Sequence, residues 1–148
     1  MTPRALLAVV LLLAAACGVA PPATHVVGTI TYEVIGGFTG WDRLLIVDHD
    51  GTAHLKYVTG PSRQADPRQV DAGTLSRLHQ LVSDPKFAAL KAEYLPSPGG
   101  VDLQDYVITV QLDGRQLQTM TRDGADRPEI LGQVMGILNE ILASLASS

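Results

Sequence analysis

The sequence predicts an α+β fold: a sheet of antiparallel hairpins in the order β-β-β-α-α-β-β-α, with the helices packed on one face. Three observations predict it. Segments with period-two alternation of apolar and polar residues recur in two groups, around 26–58 and 106–121. Asp-Gly dipeptides at 50–51 and 113–114 punctuate those groups where hairpin turns are needed. Between and after them the apolar spacing changes to that of a helix, which gives elements long enough to cover a sheet.

Taken in order, residues 26–35 are rich in β-branched side chains and read as a strand with Ile30, Tyr32 and Val34 on one face. Gly36-Gly37-Phe38-Thr39-Gly40 interrupts it, three glycines in five residues that permit positive φ. A second strand at about 43–48 places Leu44 and Ile46 on one side, and Asp50-Gly51 reads as a two-residue turn into a third strand over 52–58. Residues 59–68, with two prolines, read as a loop. Over 70–83, Leu75, Leu78, Leu81 and Val82 form a helical stripe. Asp84-Pro85 then restarts a short helix, Asp84 capping it and Pro85 fitting its first turn, with Phe87 and Leu90 on its buried side. Alternation returns from Tyr106 through Leu112, turns at Asp113-Gly114 and continues over 115–121. Asp126-Arg127-Pro128-Glu129 reads as a helix start capped by Asp126. Ile130, Val134, Ile137, Leu138, Ile141 and Leu145 follow on one face.

The first 25 residues are organised differently. Ala5 to Ala16 is a twelve-residue apolar run behind a start that carries Arg4. That is short of the roughly 20 residues a membrane-spanning helix needs, and it has the order of a secretory signal. Leu13-Ala14-Ala15-Ala16 leads directly into Cys17, the chain's one cysteine. Small residues ahead of a cysteine resemble a bacterial lipobox, in which the cysteine becomes the lipidated first residue of the mature protein. This organisation implies a lipoprotein signal peptide over 1–16, a lipidated Cys17 with a short tether over 17–25, and one domain over 26–146. Localisation follows: exported, and held at the outer face of a bacterial membrane through Cys17. No later segment reads as long and apolar enough to span.

Charge and composition narrow the function. Without Arg4 the chain has 10 basic and 15 acidic residues, a charge of −5, and aromatics make up 5%. Neither a basic footprint nor a stacking platform for nucleic acid is present. Removing Cys17 from consideration leaves no thiol for catalysis. His49 and His54 flank the Asp50-Gly51 turn beside Asp48, two ligands where zinc needs three or four. Asp48-His49-Asp50-Gly51 places its glycine fourth rather than sixth and lacks the twelfth-position Glu of a calcium loop. His79 lies off the apolar stripe of its helix and is expected in solvent. No Gly-x-Ser-x-Gly elbow and no phosphate-binding glycine pattern occurs. The expectation is a binding protein, with no enzyme activity, cofactor or metal.

The element that stands out is the loop from Gly36 to Trp41, with Phe38 and the one tryptophan. Ile30-Thr31-Tyr32-Glu33-Val34-Ile35-Gly36-Gly37-Phe38-Thr39-Gly40 resembles the opening of the emfourin family, a strand running into Gly-Gly-Phe-Ala/Thr-Gly. The likeness runs on through Asp48 and Gly51, Leu75, Leu78 and Leu81, Phe87 and Leu90, Asp105 to Val110, Asp113-Gly114 and the helix after Pro128. It spans about 28–143 and departs from the family in the leader and in a longer 59–70 loop. The resemblance implies a proteinaceous inhibitor whose partner is a thermolysin-like metalloprotease. The alternative is a cell-envelope lipoprotein with a structural or interaction role and no inhibitory activity. In either case Phe38 is expected to fold under the sheet end as a structural residue. Contact then falls to Gly36, Gly37, Thr39, Gly40 and Trp41.

Overall fold

A computed structural model describes residues 24–60, 65–97, 100 and 102–147. The expected signal peptide over 1–16, Cys17 and the expected tether up to residue 23 lie outside the described residues. The elements are β1 (Val27–Gly36), β2 (Arg43–Val47), β3 (Thr52–Tyr57), β4 (Arg68–Gln69), α1 (Ala72–Ser83), α2 (Pro85–Ala88), β5 (Glu93–Tyr94), β6 (Gln104–Leu112), β7 (Arg115–Arg122) and α3 (Glu129–Ala146). The strands form one sheet in the order β4-β3-β2-β1-β6-β7-β5. Three helices pack against it, and the fold is α+β.

The sheet is mixed rather than purely antiparallel, because β5 runs parallel to β7. This corrects the expected arrangement of hairpins alone. Two-residue strands such as β4 and β5 carry no alternation, so the sequence reads them as loop. β5 reaches the sheet from α2 rather than through a hairpin. It is held there by the Met120 N–H donating to Ala92 C=O at 2.8 Å and the Thr119 hydroxyl donating to Lys91 C=O at 2.9 Å.

Period-two alternation sorts the two faces. Ile30, Tyr32 and Val34 of β1 point to the helices, joined by Leu45 and Val47, Ala53 and Leu55, and Ile108, Val110 and Leu112. The helices answer with Leu78 and Val82 of α1, Phe87 of α2 and eight buried residues of α3, including Leu131, Val134 and Leu138. Tyr32 is fully buried at the middle of the central strand, stacked on Tyr106 with ring centroids 6.1 Å apart. Its hydroxyl donates to Asn139 Oδ1 on α3 at 3.0 Å, and burial pushes its pKa upward.

Turns and caps show where local chemistry decides geometry. Asp113 (φ 51) and Gly114 (φ 74) are both left-handed, the two-residue turn that Asp-Gly favours. The β2–β3 connection differs from its expected two-residue form. Gly51 N–H donates to Asp48 C=O and Asp48 N–H to Thr52 C=O, both at 2.9 Å, so His49-Asp50-Gly51 is a three-residue loop with Gly51 at φ 87. Asp71 caps α1 by accepting from Thr74 N–H at 2.9 Å, and Asp84 caps α2 through Lys86 N–H at 2.8 Å. Asp126 does not cap α3: the helix is entered at Pro128, with no side-chain cap. A proline disfavours the helical region for the residue before it, so the helix starts after Pro128 and Asp126 lies two residues ahead of the capping position. At 18 residues α3 is, by length and composition, apolar enough to cross a membrane, contrary to the sequence expectation. Its apolar side lies instead in the core.

Candidate functional site

The loop between β1 and β2 is built from hydrogen bonds that its sequence does not advertise. Gly36 and Gly37 both have φ 79 and Gly40 has φ 61, a path that side chains with Cβ atoms resist. Gly40 N–H donates to Gly37 C=O at 3.0 Å, closing a turn over Phe38 and Thr39. Gly36 N–H donates to Asp42 Oδ1 at 3.0 Å. The Thr59 hydroxyl accepts from Asp42 N–H at 2.8 Å and donates to Gly40 C=O at 3.0 Å. Asp42 C=O accepts from Val58 N–H at 2.8 Å, tying the β2 end of the loop to the end of β3. A Cβ on Gly37 would lie 2.6 Å from Gln104 Cγ, so the loop also rests on the start of β6.

Gln104 is itself held. Its N–H donates to Asp123 Oδ2 at 3.0 Å, and the Tyr106 hydroxyl lies within hydrogen-bond reach of Asp123 Oδ1 (2.9 Å) and Gln104 Oε1 (3.0 Å). Burial, reinforced by the bond to the Asp123 carboxylate, pushes the Tyr106 phenol up to about 12. Alongside, Arg122 grips Asp105 through two nitrogens at 2.6 and 2.9 Å and holds that carboxyl below its usual range.

This frame corrects the expectation for Phe38. The ring does not fold under the sheet end: it is 92% exposed at the tip of the turn. Trp41 is the aromatic of the loop that packs on the sheet end, meeting Tyr57 edge-on with centroids 6.4 Å apart. A Cβ on Gly60 would lie 2.8 Å from the indole Cδ1, so Trp41 is sandwiched. Trp41 keeps 43% of its surface exposed, and Val58 and Ile35 add apolar area at the same end of the sheet. Thr39 and Gly40 are exposed as well, while Gly36 and Gly37 are half-buried supports. The residues that sequence reading missed are Asp42, Thr59 and Gln104. Thr59→Val keeps the side-chain shape but removes two hydrogen bonds. Faster cleavage within 36–42 under limited proteolysis is the expected result, with global unfolding shifted by about 1 kcal/mol or less.

The histidines lie at the opposite end, where β1 begins. His25 Nδ1 is 2.6 Å from Asp113 Oδ2, and Val26 N–H donates to Asp113 Oδ1 at 2.8 Å. Those two bonds hold the Asp113 carboxyl below its usual range. His54 Nε2 stands 3.2 Å from Asp48 Oδ2, on the strand after the turn that carries His49. His79 is half-buried rather than solvated, with Nε2 sealed from solvent and unpartnered, beside a cleft that His25 and His49 also line. Among the described residues no three potential ligands come together to hold a metal ion.

Burial, with a smaller effect of His49, pulls the His79 pKa below its ordinary 6.5. The unfolded chain therefore takes up this proton first, and stability is lost as pH falls below about 6.5. Carboxylates such as Asp105 and Asp113, depressed from 3.8, lose their contribution only at lower pH. The melting temperature is expected to decline as pH falls below about 6.5 in the wild type and to do so less steeply in His79→Gln. An unchanged slope in that variant would remove His79 as its cause.

No protein-family model matches the chain, and no curated protein is significantly similar to it.

Proposed function

We propose that this chain is an exported binding protein, held at a membrane surface by a lipid on Cys17, that inhibits a thermolysin-like metalloprotease in the manner of the emfourins. The observation that carries the reading is Phe38, almost wholly exposed on a loop whose backbone is hydrogen-bonded from both sides. An apolar ring in water is unfavourable by the measure of its area, so the fold gains nothing from it in isolation. A partner that buries it gains that area, and the prebuilt loop spares the ordering cost that weakens mobile loops. Aromatic anchors of this kind dominate binding energy in protein interfaces. Inhibition by occupancy asks no chemistry of the inhibitor itself.

Titrating thermolysin with residues 17–148 tests this directly. Competitive inhibition that disappears in Phe38→Ala is expected. A folded protein that leaves the protease untouched would overturn the inhibitor reading and favour an envelope partner for the same loop. The anchor is tested separately in a bacterial host. Cys17→Ser is expected to leave the membrane fraction and to lose labelled palmitate; a variant that remains membrane-bound would refute the lipid attachment.

A further inference from the structure

We propose that the apolar rim of Ile35, Phe38, Trp41 and Val58 is turned away from the surface to which the chain is anchored, so that its occupant is a protein arriving from the outside and not the bilayer. The inference rests on the Cys17 anchor proposed above and adds the direction in which the site faces.

Strand β1 carries the argument. It runs ten residues from Val27 to Gly36, roughly 30 Å at the rise of a strand, with the anchored end of the chain at its start and the loop at its finish. Six residues separate Cys17 from Thr24, so even a fully extended chain allows at most about 25 Å between them. The end of the body nearest the anchor is polar: His25 with Asp113, the His49-Asp50-Gly51 turn, and Asp71 at the head of α1. Val26 is the exposed large apolar residue there. Of the other exposed large apolar side chains among the described residues, Ile35, Phe38, Trp41 and Val58 are gathered at the far end, and Leu95 stands apart from them just beyond the edge strand β5.

Charge argues in the same direction. A juxtamembrane segment is drawn onto an anionic leaflet by about 1 kcal/mol per basic residue, which requires an excess of them. Beside the rim, Arg122 is paired with Asp105, while the carboxylates of Asp42 and Asp123 accept from Gly36 N–H and the Tyr106 hydroxyl. The mature chain as a whole carries 10 basic against 15 acidic residues. Nothing pulls the body over onto its side, and a rigid loop with one aromatic at its tip fits an apolar pocket in a folded partner.

The mature chain has one cysteine and one tryptophan, Cys17 and Trp41, which supply the attachment point and the reporter. Residues 17–148 are coupled through Cys17 to vesicles of phosphatidylcholine and phosphatidylglycerol that bear a maleimide headgroup, and attachment is verified by co-flotation. With dibrominated phosphatidylcholine in the bilayer, Trp41 emission is expected to keep the intensity and wavelength of the uncoupled protein. Acrylamide should quench the two equally. Loss or blue-shift of the emission on coupling would overturn the proposal by placing the rim on the lipid. A concentration-dependent dimer of the uncoupled chain, seen by sedimentation and abolished in Phe38→Ala, would overturn it in favour of a second copy. Neither readout involves a protease, and chemical coupling bypasses cellular lipidation. A failure here is thus distinct from failure of the inhibitor or lipoprotein readings.

Discussion

Under the proposed inhibitor reading, Phe38→Ala is expected to weaken binding to the protease by about 2 kcal/mol or more, roughly 30-fold, while leaving the unfolding transition where it was. The asymmetry follows from where the ring sits. Truncating a side chain that is 92% exposed opens no cavity and removes no buried contact, so its stability effect stays within about 0.5 kcal/mol. The turn beneath it is closed by backbone, Asp42 and Thr59, none of which touches the substitution chemically. Isothermal titration together with urea denaturation of both proteins separates the two quantities. A protein that unfolds several kcal/mol more easily would mean that the ring is packed after all. Unchanged affinity would move the contact to Trp41 and the exposed backbone of Thr39 and Gly40.

Tyr32→Ala is expected to cost about 3–5 kcal/mol of stability, as truncation of a large buried aromatic does. Tyr32 is fully buried at the centre of the sheet, stacks on Tyr106 and reaches α3 through its hydroxyl. Tyr32→Phe isolates the last of these. It keeps the ring and loses one hydrogen bond to Asn139, whose own side lies in solvent, for about 1 kcal/mol. A small difference between Tyr32→Ala and wild type would show that the cleft between sheet and α3 collapses around the deletion.

Legibility in the sequence follows the length of each signal. Strands of five or more residues carry alternation: Ile30, Tyr32, Val34, Ile108, Val110 and Leu112 are buried as expected and Tyr106 is half-buried. In β2, by contrast, the core takes Leu45 and Val47 and leaves Leu44 and Ile46 on the other face. Asp113-Gly114 is readable because that pair suits left-handed φ at both positions. Asp50-Gly51 marks the turn but not its length, since His49 also enters it between the paired Asp48 and Thr52. β4 and β5 exist by virtue of their neighbours and have no pattern of their own. At the loop, the three glycines are visible and their supports are not: Asp42 and Thr59 are 17 residues apart and meet through sheet register. The general tendency of apolar residues to be buried sends Phe38 to the interior. That tendency does not say which of two nearby aromatics packs, and here Trp41 packs against Tyr57 and Gly60 while Phe38 is exposed. His79 is off the helical stripe as periodicity places it, yet it faces the cleft that His25 and His49 also line.

The position of β1 has a consequence for how this chain acquires its structure. It is the first strand of the body, yet half of its backbone ladder is completed by β6, with Thr31 opposite Thr109, 78 residues later. Until β6 arrives, one side of β1 is an open edge, and the apolar row Ile30, Tyr32, Val34 lacks the cover of α3. A chain emerging from a ribosome or a translocation pore therefore cannot lock its amino-terminal half early. Such long-range pairing raises the contact order, which slows folding, and the amino-terminal strands wait for the carboxy-terminal third to close their sheet.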